Sequence, residues 1–153
     1  MLTSKQALDE LILETFRLNG LLIAAGDALT RDLGLSSARW QVLGAIGKSS
    51  EPPSLSAIAR AMGLSRQAVR RVVNELETEG LVETRPHPAN RRLRVVLLTE
   101  AGKSAHDQAN QRQVPWGEKL AENIAFERFL TAVHVMRDVR TRLEANEPAM
   151  DPA

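Results

Sequence analysis

Two short helical stripes meet at Met62-Gly63-Leu64-Ser65, and that junction constrains the fold of this 153-residue chain more than any other feature. Ser54 or Ser56 caps a first helix whose Ile58, Ala59 and Met62 share one face, and Gly63 supplies the left-handed residue that ends it. Leu64 is expected to plug the turn. Ser65 is a natural N-cap for a second helix, in which Val69, Val72, Val73 and Leu76 recur at i, i+3, i+4 and i+7 before Gly80 stops it. A stripe of that width buries one side only. The free side carries Arg66, Gln67, Arg70, Arg71 and Asn74, side chains that donate to phosphates or match the edges of guanine and adenine. The pattern predicts a helix-turn-helix with a face suited to nucleic acid.

After Gly80 the period changes. Residues 81–85 and 93–98 are short runs of strand-forming residues, separated by Pro86-His87-Pro88-Ala89-Asn90-Arg91-Arg92. The two prolines and the polarity of the separator predict an exposed loop between paired strands, presenting Arg91, Arg92 and, at its base, Arg94. Charge sharpens this reading. Residues 54–99 hold eight arginines against four glutamates, so a net +4 sits in this stretch and −3 in the rest of a chain whose total is only +1. Every cation in the stretch is arginine, the side chain suited to bidentate phosphate and guanine contacts and to a narrow minor groove.

The flanks read as helices. Thr3 with Gln6 forms a capping-box pattern, and Leu8, Leu11, Ile12, Phe16, Leu22 and Ile23 continue it toward Leu33, with Gly34 as the stop. Gly20 and Gly26 each weaken that helix by roughly 1 kcal/mol relative to alanine and mark a bend or a close crossing. Leu2, Leu18 and Leu21 add apolar surface on a second face, which favours a helix shared with a second subunit over one folded back on its own domain. Residues 35–47 predict a further helix with Trp40, Leu43 and Ile46 in its core. Lys48 to Pro53 is a polar loop consistent with a short edge strand against the later hairpin. Thr99 caps a polar helix from Ala101 to Val114, which Pro115 kinks or breaks. Beyond Asn123 an amphipathic helix reaches about Glu144, and residues 146–153 predict a disordered tail.

Several function classes are excluded. With no cysteine there is no disulfide framework, thiol redox chemistry or cysteine-ligated zinc. The three histidines, His87, His106 and His134, are not at metal-ligand spacing, and no catalytic constellation or phosphate-binding glycine loop is present, so neither an enzyme nor a cofactor is expected. Asp9, Glu10 and Glu14 interrupt the first apolar run, which is therefore neither signal peptide nor membrane span, and a cytoplasmic protein is expected.

The order of elements resembles the MarR family of bacterial transcriptional regulators, most specifically in LSRQAVRRVVNELETEGLVE at 64–83 and NRRLRVVLLTEAG at 90–102. The resemblance implies a mainly α fold with a small β-hairpin wing: a winged helix-turn-helix lobe at 35–99, and N- and C-terminal dimerisation helices at 1–34 and 100–145. It implies a homodimer on double-stranded DNA, with Ser65, Arg66, Gln67, Arg70 and Arg71 facing the major groove and Arg92 at the wing tip. One departure stands in the wing, where Asn90 replaces the family's usual aspartate and cannot ion-pair with an arginine. The family pattern also implies a small aromatic or anionic effector, for which Phe16 and Trp40 are candidate lining residues and Arg39 or Arg85 candidate charges; core packing explains Phe16 and Trp40 equally well. The most favoured function is a repressor on a pseudo-palindromic operator. Its rival is a winged-helix protein-interaction module without DNA binding.

Overall fold

The computed structural model describes residues 1–146; the expected tail lies outside them except for Asn146. Residues 1–114 form one compact unit and Pro115 opens a second. In chain order the elements are α1 (Ser4–Thr30), a 3-10 turn (Arg31–Leu33), α2 (Ser37–Lys48), α3 (Leu55–Met62), α4 (Arg66–Thr78), β1 (Val82–Pro86), β2 (Arg94–Leu98), α5 (Glu100–Ala121) and α6 (Phe126–Asn146).

The caps follow the sequence closely. Thr3 and Gln6 form a complete capping box, and Ser54 rather than Ser56 caps α3, its hydroxyl accepting from the Ala57 amide at 3.2 Å. The α3–α4 turn is closed by backbone: the Leu64 amide reaches the Ala59 carbonyl at 3.0 Å and the Gly63 amide reaches that of Arg60 at 3.3 Å, with Gly63 at φ 64°. Leu64 therefore has no plugging to do, and its side chain is 46% exposed, against expectation.

The core of the first unit lies where α2, α3, α4 and the hairpin converge. Val42, Leu43, Ile58, Val69, Leu76, Val82 and Val96 are each at most 2% exposed, and Trp40 packs on them half-buried. Each such side chain contributes about 1.5–3 kcal/mol relative to an exposed one, which makes α4's stripe its main anchor. α1 crosses α2 at Gly26, where a Cβ would collide with the Ser37 hydroxyl; that hydroxyl donates to the Ile23 carbonyl at 2.7 Å. Gly26 thus marks a close crossing, whereas Gly20 faces open space.

β1 and β2 pair antiparallel from Val82↔Leu98 to Pro86↔Arg94. Pro86, expected in the loop, instead ends the strand; in a two-stranded ribbon β1 has a free edge, where a proline costs no ladder bond. The expected edge strand at 48–53 reduces to one bridge, Ser54↔Val95, supported by the Val96 amide on the Pro53 carbonyl at 2.9 Å. Two adjacent prolines leave that segment too few amides for a longer ladder. At the far end of β2, Thr99 makes four bonds: its hydroxyl donates to the Gly80 carbonyl at 2.6 Å and accepts from the Gly102 amide at 3.1 Å, its amide donates to the Leu81 carbonyl at 3.1 Å, and its carbonyl accepts from the Lys103 amide at 2.9 Å.

α5 runs through Pro115 rather than ending there. The proline removes the helix bond to the Gln111 carbonyl, and Gln111 is exposed, so the loss does not strand a buried acceptor. The second unit contains the end of α5 and α6, whose apolar residues are largely uncovered: Phe126 is 71% exposed and Leu143 63%. Among the described residues no helix is long and apolar enough to cross a membrane.

Candidate nucleic-acid interface

The candidate reading face begins at a cap. The Ser65 hydroxyl accepts the Ala68 amide at 3.1 Å and fixes the first turn of α4, while the remaining free amides of that turn point outward beside Arg66 and Gln67. Burial of Val69, Val72, Val73 and Leu76 then determines which way the helix is rotated. Arg66, Gln67, Arg70, Arg71 and Asn74 are consequently all exposed on the opposite side. Among the described residues Arg66, Arg70 and Arg71 take part in no ion pair. Their donors remain available to an outside acceptor.

The loop between β1 and β2 is a compact turn. The His87 amide bonds the Leu93 carbonyl at 2.7 Å, the Leu93 amide bonds the Asn90 carbonyl at 2.9 Å, and the His87 ring accepts from the Ala89 amide at 3.1 Å through Nδ1. Asn90 Oδ1 accepts the Arg92 amide at 3.2 Å. Asparagine therefore holds the backbone at Arg92 without engaging its guanidinium, and Arg91 and Arg92 stand exposed and outside any ion pair among the described residues. Arg94 differs: its Nη2 donates to the Thr84 carbonyl at 3.2 Å, tying it to the neighbouring strand. The hairpin is joined to α4 through Glu77, whose Oε1 accepts the Thr84 amide at 2.9 Å.

The four residues considered for an effector occupy four different settings. Phe16 is 72% exposed on α1. Trp40 lies on the core, and its Nε1 donates to Asn110 Oδ1 on α5 at 3.1 Å. Arg85 pairs with Glu83 on its own strand at 2.5 Å. Arg39 turns toward α4, pairing with Glu79 at 2.7 Å and Glu75 at 3.2 Å. Neither arginine holds its charge free.

Sequence reasoning overlooked a polar seam between α2 and α5. The Asn110 amide nitrogen lies 3.3 Å from the His106 ring, which packs beside Gly44. Burial pushes the His106 imidazole below its ordinary value; Asp107 opposes this and Lys48 adds to it. A second such link joins α5 to α1: Arg112 forms a two-pronged pair with Asp32 and also reaches the Leu29 carbonyl at 3.0 Å. The Arg112 hydrogen bonds hold the Asp32 carboxyl below the usual carboxylate range. Only pairing across the fold distinguishes these groups from ordinary surface charge, and no periodicity marks them along the chain. Among the described residues no cluster of three or more histidines and carboxylates is placed to hold a metal.

Comparison with known proteins places this arrangement. The sequence model of the MarR family matches residues 33–93. An uncharacterised protein of Mycobacterium tuberculosis is 30% identical over 138 residues, covering 90% of this chain and 95% of that protein. The transcriptional activatory protein BadR of Rhodopseudomonas palustris is 25% identical over 118 residues, 74% of this chain and 67% of BadR. Among solved structures, CouR of Rhodococcus jostii RHA1, determined with p-coumaroyl-CoA bound, superposes with a TM-score of 0.69 at 26% identity over 88% of this chain and 91% of CouR. The free arginines of the lobe, its hairpin and these likenesses agree, and the chain belongs to the MarR family of winged-helix transcriptional regulators.

Proposed function

We propose that the protein is a homodimeric, sequence-specific repressor that binds a pseudo-palindromic operator in double-stranded DNA and answers to a small aromatic or anionic effector. Residues 35–99 form the DNA-binding lobe in this reading, and residues 1–34 and 100–145 the dimerisation region. The observation that carries it is the set of exposed arginines that enter no ion pair among the described residues, Arg66, Arg70 and Arg71 on α4 and Arg91 and Arg92 on the hairpin loop. Ser65, Gln67 and Asn74 complete the groove-facing set, with Arg94 at the base of the wing. Bidentate contacts from such side chains to guanine or adenine are worth about 1–3 kcal/mol each in discrimination, while phosphate contacts supply the salt-dependent part of affinity.

Dimerisation is supported by apolar surface that neither unit covers by itself. On α1, Phe16 and Leu21 are 72% and 70% exposed, and in the second unit Phe126 is 71% exposed. A soluble monomer rarely leaves so much apolar surface contiguous with a helix face. Two copies related by a twofold axis would present two α4 helices about 34–36 Å apart, one turn of DNA. The partner being DNA, the protein would act in the cytoplasm, and no catalytic step belongs to this reading.

The effector is supported by the likeness to CouR, with Trp40 and Phe16 as candidate aromatic contacts. Arg39 and Arg85 would first have to leave the carboxylates they now engage. Selection of duplexes from a randomised pool by the purified protein tests the central claim. Recovery of an inverted repeat with half-sites one turn apart, and a reporter carrying it that is silenced by the protein, is the expected result. Recovery of no preferred sequence at low or moderate salt would return the lobe to the class of protein-interaction modules.

A further inference from the structure

The acidic end of α4 is unusual for a helix. Glu75, Glu77 and Glu79 lie in its last turns with no basic residue among them, where the helix dipole disfavours negative charge. Glu75 and Glu79 are also four residues apart, a spacing at which like charges repel. All three are nevertheless engaged. Glu77 accepts the Thr84 amide of β1. Glu75 and Glu79 are both held by Arg39, whose Nη1 donates to Glu79 Oε1 at 2.7 Å and whose Nη2 and Nε donate to Glu75 Oε2 at 3.2 and 3.4 Å. The same Nη1 reaches the Gly34 carbonyl at 3.1 Å, in the turn that precedes α2. The Arg39 side chain is 21% exposed, so its reach is limited by packing as well as by charge.

We propose that Arg39 is a positioning residue for the DNA-reading helix, setting the fine orientation of α4 through Glu75 and Glu79 once the buried stripe has chosen the inward face. Apolar burial decides which face turns inward but is non-directional, so small rotations about the helix axis cost it little. A guanidinium bridging two carboxylates is directional, because its donors form a planar fork. Glu75 is adjacent to Asn74 and one turn beyond Arg71, so the grip acts on the same helix segment that carries the reading face. Base recognition tolerates only about 0.5 Å of misplacement, which makes a directional clamp matter more for reading sequence than for folding. The inference rests on the reading that α4 enters the major groove.

The test uses the full-length protein and a duplex selected by the wild type from a randomised pool, together with single-base variants of that duplex and a scrambled control. Arg39→Gln is expected to weaken binding to the selected duplex about tenfold and to compress its preference over the single-base variants. The slope of log Kd against log salt should stay at the wild-type value, since no phosphate contact is lost. Arg39→Lys, whose ammonium is a point charge serving one carboxylate well, should fall between the two. Glu79→Gln, an exposed change that spares the fold, should reproduce part of the loss even if Arg39→Gln does not fold. The charge-balanced double variant Arg39→Gln/Glu75→Gln should keep the full loss. Wild-type affinity and preference in Arg39→Gln would overturn the proposal. So would recovery of binding in the double variant, which would reduce the effect to unmasked charge, or a slope lowered by about one unit, which would make Arg39 a phosphate contact. If the wild type itself fails to separate selected from scrambled DNA, the groove reading has failed and the positioning role falls with it.

Discussion

α4 and α1 carry the same kind of apolar periodicity and meet opposite fates. On α4 the stripe Val69, Val72, Val73 and Leu76 is at most 8% exposed, because α2, α3 and the hairpin close over it. On α1 the stripe Leu8, Ile12 and Phe16 is 38%, 41% and 72% exposed. The difference teaches that periodicity specifies which face must be covered, while the identity of the cover depends on whether a neighbour lies close along the chain. The lobe supplies its own cover; the α1 stripe is left exposed, which is what the proposed dimer would use.

The contrast is most severely tested inside the lobe. Leu76→Ala should destabilise the protein by about 2–5 kcal/mol, read as a drop in the urea midpoint at constant slope, because a fully buried side chain leaves a cavity. A loss below about 1 kcal/mol would mean the lobe is less self-sufficient than its burial indicates. If α1 joins two copies as proposed, Phe16→Ala should raise the dissociation constant of that dimer about ten- to a hundredfold in sedimentation equilibrium, the equivalent of about 1.5–3 kcal/mol of apolar burial. An unchanged constant would remove this face from the dimer. On the lobe's charged surface, Arg92→Ala should weaken binding to all duplexes alike and lower the salt slope by about one unit. Equal binding at every salt concentration would take the wing off the DNA.

The smallest effect is expected at the seam where α2 meets α5. Burial holds His106 below its ordinary value, so the unfolded chain binds its proton first. The contribution of His106 to stability is therefore complete above about pH 6.5 and declines as pH falls through the folded-state value. Thermal melts over that window should flatten in His106→Asn; a variant with the wild-type pH dependence would exclude His106 as its source.

Much of the lobe was legible in the sequence. Capping serines, glycine stops and a four-residue stripe are local signals, and Ser54, Ser65 and Gly63 occupy the roles their spacing predicts. Where local rules met a tertiary alternative they failed. Local rules place Pro86 in the loop because prolines interrupt ladders, yet β1 has a free edge that accepts one. They also make Leu64 a plug, whereas backbone bonds close that turn and the side chain stays exposed. The sequence makes Arg39 a candidate charge for an effector, since nothing in its own helix announces carboxylates 36 and 40 residues further on. Periodicity carries no information about such pairs, which exist only once α2 and α4 are packed.

Thr99 gives the lobe a second connection between its helices. One residue stitches the Gly80 and Leu81 carbonyls, at the exit of α4, to the first turn of α5. The end of α4 is thus joined to the start of α5 by two routes, one along the chain through the hairpin and a shorter one through the hydroxyl and amide of Thr99.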